Sequence, residues 1–255
     1  MLKTQAELDA SAIVANNAMN RERRLSGVNS YARALGFDPY AFLRERRAVT
    51  GRAAWLDLCC GEGNALIEAA GKFAAEGGAG VSIVGVDLVG RLGATGVLPR
   101  GLELVTASVP EAWRPSTTFD LITCVHGLHY IGDKLALLTL IPQWLTETGT
   151  FIADFDASLV RQADGRPATT RVSRALRHVG AEYDGRRHRV SWRGPIPLAF
   201  VARYLGADDD AGPGYTGQPA VASHYSWAEQ PPPPEPDPPA GARAAAAVTC
   251  STGTR

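Results

Sequence analysis

An α/β domain built on a mostly parallel, doubly wound sheet is the fold class this sequence predicts, and three observations carry it. Short apolar runs of strand length alternate with helix-length amphipathic segments from Ala54 onward. A glycine-bearing turn, Asp57-Leu58-Cys59-Cys60-Gly61-Glu62-Gly63, stands where the first of those strands gives way to a helix. An acidic residue, Asp87, closes the next strand 24 positions after Gly63. Strands that alternate with helices pair in parallel through right-handed crossovers and are covered on both faces.

Ahead of that core, residues 6–47 read as helices, with Leu8, Ala12, Ala15 and Met19 at helical spacing and Asp38-Pro39 opening a second segment. The expected strands are Ala54–Cys59, Val81–Asp87, Leu102–Thr106, Phe119–Val125 and Thr150–Asp154. Asn64–Ala75 and Asp133–Leu145 have the length of helices, and Gly90–Gly101 reads as a glycine-rich loop. Downstream, Ala168–His178 forms a further helix, and His188–Trp192 and Ile196–Tyr204, joined at Gly194-Pro195, read as an edge hairpin. Residues 206–225 are rich in turn formers, and the proline run and Ala-rich stretch from Pro231 offer no periodic face to bury, so disorder is expected there. This divides the chain into a helical lid (1–50), a core (51–206), an extended segment (207–229) and a low-complexity tail (230–255).

With 26 basic against 26 acidic side chains, the chain lacks the basic excess that drives nucleic-acid or membrane-surface binding. No stretch approaches the roughly 20 apolar residues of a membrane span, and the polar N-terminus leads to the expectation of no signal peptide. The four cysteines, Cys59, Cys60, Cys124 and Cys250, lack the paired spacing of a zinc site, and a reduced, cytoplasmic compartment is expected. Cys59 and Cys60 read as packed small hydrophobes rather than nucleophiles.

The chemistry concentrates at the glycine turn. Glycines there let the backbone approach a ligand at the carboxyl edge of a parallel sheet, and a carboxylate at Asp87 accepts hydrogen bonds from ribose hydroxyls. A dinucleotide site requires a third small residue in the loop, whereas Gly61-Glu62-Gly63 is followed by Asn64-Ala65-Leu66, and Glu62 brings negative charge to where phosphates would lie. The turn resembles motif I of class I S-adenosylmethionine-dependent methyltransferases, most closely the small-molecule methyltransferases of actinobacteria, over roughly residues 11–227. That family's sulfonium cofactor carries no phosphate.

The resemblance implies a Rossmann-like, seven-stranded sheet with an antiparallel edge hairpin and N-terminal helices. It also implies S-adenosylmethionine as cofactor, a small-molecule acceptor and transfer of a methyl group to oxygen, nitrogen or carbon. A homodimer is compatible with it, and no metal is implied. Cofactor contacts are expected from Tyr31, Arg33, Asp57, Cys59, Gly61, Gly63, Asp87, Leu88, Ser108 and Val125. Tyr31 and Arg33 precede the core as residues that meet the cofactor carboxylate do, and Asp57 holds either the loop amides or the cofactor's amino group. Cys59 replaces the usual first glycine, which the backbone tolerates where φ stays negative. Ser108 stands where relatives carry the acidic residue that reads adenine.

His126 and His129 follow the fourth strand in His126-Gly127-Leu128-His129-Tyr130 and are the candidate proton acceptors. They also have the spacing of a two-His metal pair, with no third ligand nearby. His178, His188 and His224 have no distinguishing context. Two other readings stay open: an NAD(P)-dependent oxidoreductase, and a cofactor-binding protein without transferase activity.

Overall fold

The computed structural model describes residues 1–14, 23–89 and 97–228. Three short helices lead the chain: α1 (Gln5–Asp9), α2 (Tyr31–Leu35) and α3 (Pro39–Thr50). The expected helix through Leu8 and Ala12 stops at Asp9, and Ala15 and Met19 lie outside the described residues. The Thr4 side chain and Glu7 form a reciprocal cap at the start of α1, while Asp38 caps α3 with Pro39 in its first turn.

The core follows as β1 (Ala53–Leu58), α4 (Asn64–Ala75), β2 (Val81–Asp87), β3 (Leu102–Thr106), β4 (Phe119–Cys124), α5 (Lys134–Leu140), β5 (Leu145–Asp154), β6 (Val160–Gln162), α6 (Thr169–His178), β7 (Glu182–Asp184), β8 (Arg189–Arg193), β9 (Ala202–Asp208) and β10 (Ala222–Trp227). Seven of these strands form one sheet in the order β3-β2-β1-β4-β5-β8-β7. Its first five strands are parallel, and β8 and β7 add an antiparallel edge. The fold is therefore the expected Rossmann-like, doubly wound type.

Register aligns the core side chains into rows. Leu56 pairs with Val84 and Ile122, Ile122 with Phe151, and Phe151 with Trp192, so one apolar row crosses five strands on one face. Trp55, Ile83 and Leu121 form the opposite row, packed with Leu43 of α3 and Leu66 and Phe73 of α4. Two-residue alternation along each strand places the rows on opposite faces.

Three expectations need correction. The edge hairpin joins β7 to β8 through residues 185–188, and residues 194–201 are irregular. The second run of the expected hairpin instead becomes β9, part of a separate three-stranded sheet ordered β6-β10-β9, because Ala202–Asp208 pairs with Ala222–Trp227. Finally, the helix expected to reach Leu145 ends at Leu140 and passes through one 3-10 turn, Ile141–Trp144, because Pro142 cannot continue the helical ladder and Leu145 already belongs to β5. Residues 90–96 of the expected loop and the expected tail from 230 lie outside the described residues.

Candidate active site

A cleft opens at the carboxyl ends of β1, β2 and β4, the crevice where doubly wound sheets bind ligands. One wall is the turn after β1, with Cys59, Cys60 and Gly61. A second carries Val86, Asp87 and Leu88. Ala107, Ser108 and Val109 form a third, and Val125, His126, Gly127 and His129 face them. Gln5, Asp9, Ile13 and Val14 from the N-terminal segment, and Thr216 and Gln218 from the chain between β9 and β10, close it over.

Most of the expected contact residues meet here: Tyr31, Cys59, Gly61, Asp87, Leu88, Ser108, Val125, His126 and His129 all line the cleft. Asp87 does more than face it. Its carboxylate accepts from Gly61 N (2.9 Å) and Val89 N (3.0 Å), which fastens the glycine turn to the end of β2. Three expected residues lie apart. Gly63, φ +75°, is the left-handed N-cap of α4, with Leu104 packed where a side chain would project.

Asp57 is fully buried behind the turn. It accepts from Tyr31 Oη (2.6 Å) and Thr123 Oγ1, and Thr123 in turn accepts from Trp55 Nε1 (2.8 Å). The loop amide expected of Asp57 belongs to Asp87 instead. Burial pushes the Asp57 carboxyl up to about 7, against the opposing hydroxyl hydrogen bonds. Arg33 is exposed and away from the cleft. Positions two apart on a helix point to different sides, so Tyr31 facing inward turns Arg33 outward. Arg23 occupies the cleft in its place, with Nε buried and unpartnered.

Cys59 departs from expectation in its backbone, since its φ is +58°, the region that glycine adopts freely. Its neighbours are tight. A Cβ on Gly127 would meet Cys59 Cβ and stand 2.7 Å from Cys124 Sγ. The exit turn of β4 is thereby locked against the turn after β1. A hydrogen bond with Cys59, then burial, pushes the Cys124 thiol up, and burial does the same to Cys60, so both are packed thiols.

The two histidines differ. His129 is buried, its Nε2 has no partner, and burial together with the nearby His126 pulls it down to about 3. His126 is more open. Its backbone N donates to Asp154 Oδ2 (3.1 Å), and its Nε2 lies 3.6 Å from the same oxygen. Burial lowers His126, and Asp154 opposes that shift. Asp154 ends β5 at the ligand edge of the sheet, so its position could have flagged it from sequence. Arg23 and His188 gave no such signal. His188, φ +49°, stands with Nδ1 3.7 Å from Asp156 Oδ1 and stacks on Tyr215. Among the described residues, no group of three or more His, Cys, Asp or Glu side chains is arranged to hold a metal.

A family of methyltransferase domains matches residues 28–194, more than half of the chain. The chain belongs to that methyltransferase family. The match ends with β8, so it covers the whole seven-stranded sheet and leaves the β9–β10 pair outside. No curated protein matches the sequence significantly.

Three solved structures are similar to this methyltransferase domain. CalS10, an amino pentose methyltransferase from Micromonospora echinaspora with SAM bound, is 22% identical, over 46% of this chain and 49% of its own, with a TM-score of 0.35. The plantazolicin methyltransferase BpumL, in complex with a monoazolic desmethylPZN analog and SAH, is 13% identical over 60% and 62%, with a TM-score of 0.41. PKMT2 from Rickettsia typhi, in complex with AdoHcy, is 20% identical over 49% and 26%, with a TM-score of 0.37. The chain spans less than two thirds of the length of each. No helix among the described residues is long and apolar enough to cross a membrane.

Proposed function

We propose that this chain transfers the methyl group of S-adenosylmethionine to a small-molecule nucleophile, with His126 taking the acceptor's proton. One observation carries the reading: a single cleft has the motif I turn and Asp87 on one side and His126, backed by Asp154, on the other. The cleft's donor set suits the cofactor. Asp87 stands for the ribose hydroxyls, the apolar Leu88, Val109 and Val125 for the adenine ring, and Arg23, with its unpartnered Nε, for the carboxylate. The bound sulfonium supplies an electrophilic methyl group and keeps the electron pair of the broken sulfur–carbon bond.

The protein's share is alignment, exclusion of water and a place for the proton. Nε2 of His126 faces the Asp154 carboxylate, which favours the proton there and leaves Nδ1 as the accepting atom. His129 acts as a neutral wall, since a base of its strength holds a proton poorly near neutrality. In the same reading residues 1–50 serve as a lid, 51–206 as the core and 207–229 as a cover. Gln5, Asp9, Thr216 and Gln218 on the cleft support the two covering roles. A cytoplasmic location belongs to this reading too.

Calorimetry tests the cofactor: S-adenosylmethionine and its demethylated product should bind, with no comparable heat from NAD or NADP. Labelled S-adenosylmethionine incubated with host extract should then yield a labelled small molecule. Tight NAD binding without S-adenosylmethionine binding overturns the reading.

A further inference from the structure

Tyr215 is held as a ligand is held. It stands in the chain between β9 and β10, where no residue from 211 to 219 is buried, and it is itself 38% exposed. Yet its ring stacks on His188, with centroids 4.0 Å apart and planes 7° from parallel. His129 meets it edge-on at 5.3 Å and 69°, and its hydroxyl lies 3.5 Å from His126 Nδ1. Three imidazoles enclose one phenol ring.

The slot is built and the tyrosine's own segment is not. His126 and His188 hold φ values of +56° and +49°, conformations that persist in non-glycine residues only where the surroundings enforce them. Each imidazole is faced by a carboxylate, Asp154 for His126 and Asp156 for His188. By contrast the hydrogen bonds near the tyrosine are local, Gly214 N to Gln218 O and Gly217 N to Gly214 O, both 2.9 Å. Tyr215 can therefore leave the slot without disturbing the sheet beneath it.

We propose that the slot between His188 and His126 is the acceptor subsite, that Tyr215 fills it as a stand-in, and that the acceptor is an aromatic alcohol. The flat ring lies on His188, and the hydroxyl points to His126 Nδ1, the atom that takes the proton in methyl transfer. His126 lines both the slot and the cofactor cleft, so a hydroxyl held there stands at their boundary. The reaction at that hydroxyl rests on the methyl-transfer reading: the oxygen forms a bond to the methyl carbon, the sulfur–carbon bond breaks with its pair staying on sulfur, and the proton passes to His126. The charged groups around the hydroxyl agree with a neutral acceptor. Burial, Asp154 and Asp156 together push the Tyr215 hydroxyl well above its ordinary range, with Arg23 and Arg189 opposing, so a phenol here stays protonated until a base removes its proton.

The test uses p-cresol, the tyrosine side chain as a free molecule, with toluene as control and the full chain throughout. Tyr215→Ala should bind p-cresol at least tenfold more tightly than the wild type does, and more tightly than it binds toluene. Adding His188→Ala should abolish the gain. With S-adenosylmethionine present, Tyr215→Ala should methylate p-cresol with a higher kcat/KM than wild type, whereas a tyrosine that only tethers its segment predicts a fall. Should Tyr215→Ala misfold, wild type labelled with ¹⁵N-histidine should show His126 and His188 ring signals shifting as p-cresol is added. Unshifted rings, or a gain that survives removal of His188, overturn the subsite. Binding of S-adenosylhomocysteine in the same samples separates the two ideas: its absence overturns the cofactor reading and leaves the p-cresol binding result standing.

Discussion

His126 and His129 sit three residues apart on one turn, yet the fold divides their duties. His126 keeps a carboxylate at Nε2 and turns Nδ1 toward the Tyr215 hydroxyl, while His129 is buried until only its neutral form persists. His126→Ala should therefore cut single-turnover methylation by about 10²–10⁴-fold with little change in cofactor affinity, whereas His129→Ala should act mainly on acceptor binding. Because the proposed base must act unprotonated and burial holds His126 below its ordinary 6.5, kcat/KM should hold steady above that value and fall as pH drops through the lowered one. A pH–rate profile that breaks near 9 would assign the proton to another group. Asp57 gives a stability prediction. Its carboxyl titrates near 7 in the folded chain and at 3.8 unfolded, so the folded state binds the extra proton between those values. Stability from this group is complete below about pH 4 and is lost as pH rises to 7, by roughly 3–4 kcal/mol. Asp57→Asn removes the loss, and urea midpoints at pH 5 and pH 8 should show wild type falling relative to the variant.

Elements meet this site through their ends. The turn after β1 and the exit turn of β4 touch at Gly127, where a methyl group would strike Cys59 and Cys124. Cys59 Cβ is fixed to its backbone, and Cys124 Sγ is fully buried, so neither has room to yield. Gly127→Ala should displace the motif I turn, costing about 1–3 kcal/mol of stability and at least tenfold in S-adenosylmethionine affinity. Unchanged calorimetric affinity would show the two turns to be independent. At the other end of the same crossover, Lys134 opens α5 fully buried, and its Nζ donates to Ile131 O (2.8 Å), Val221 O (2.8 Å) and Ser223 Oγ (3.0 Å). Burial pulls this lysine down to about 7, while three acceptors meet its three protons. This single side chain fastens the seven-stranded sheet's helix to the start of β10, and hence fixes one end of the segment carrying Tyr215. Lys134→Met leaves those acceptors unpaired and should lower stability by at least about 1–3 kcal/mol, read from the urea midpoint.

At the scale of the molecule, the apolar row from Val84 through Leu56, Ile122 and Phe151 to Trp192 joins the parallel strands to the antiparallel edge. Phe151 and Trp192 pack with ring centroids 4.3 Å apart, so Trp192→Ala should destabilise the whole domain by about 3–5 kcal/mol in one cooperative transition. A loss restricted to local exchange at β7 and β8 would mean that the edge folds separately. That edge also shows where sequence reasoning stops. The five parallel strands, α4, and the turn with Asp87 were legible because each depends on residues near one another in the chain: apolar runs, helical spacing, and glycines where a strand meets a helix. The pairing of β8 with β7 and of β9 with β10 was not legible, because two short β-rich runs pair with equal ease by local signals, and burial of distant partners decides between them. The same division holds at the site. Motif I and its acidic partner could be read directly, as could the pair of histidines. Arg23 in place of Arg33, Asp154 against His126, and Tyr215 between His126 and His188 come from chain segments spread between residues 23 and 215, and only the closed sheet and its covering segments bring them within reach. Local chemistry determined the binding turn; long-range packing decided which side chains stand opposite it, since hydrogen bonds, stacking and charge depend on distance in space and not along the chain.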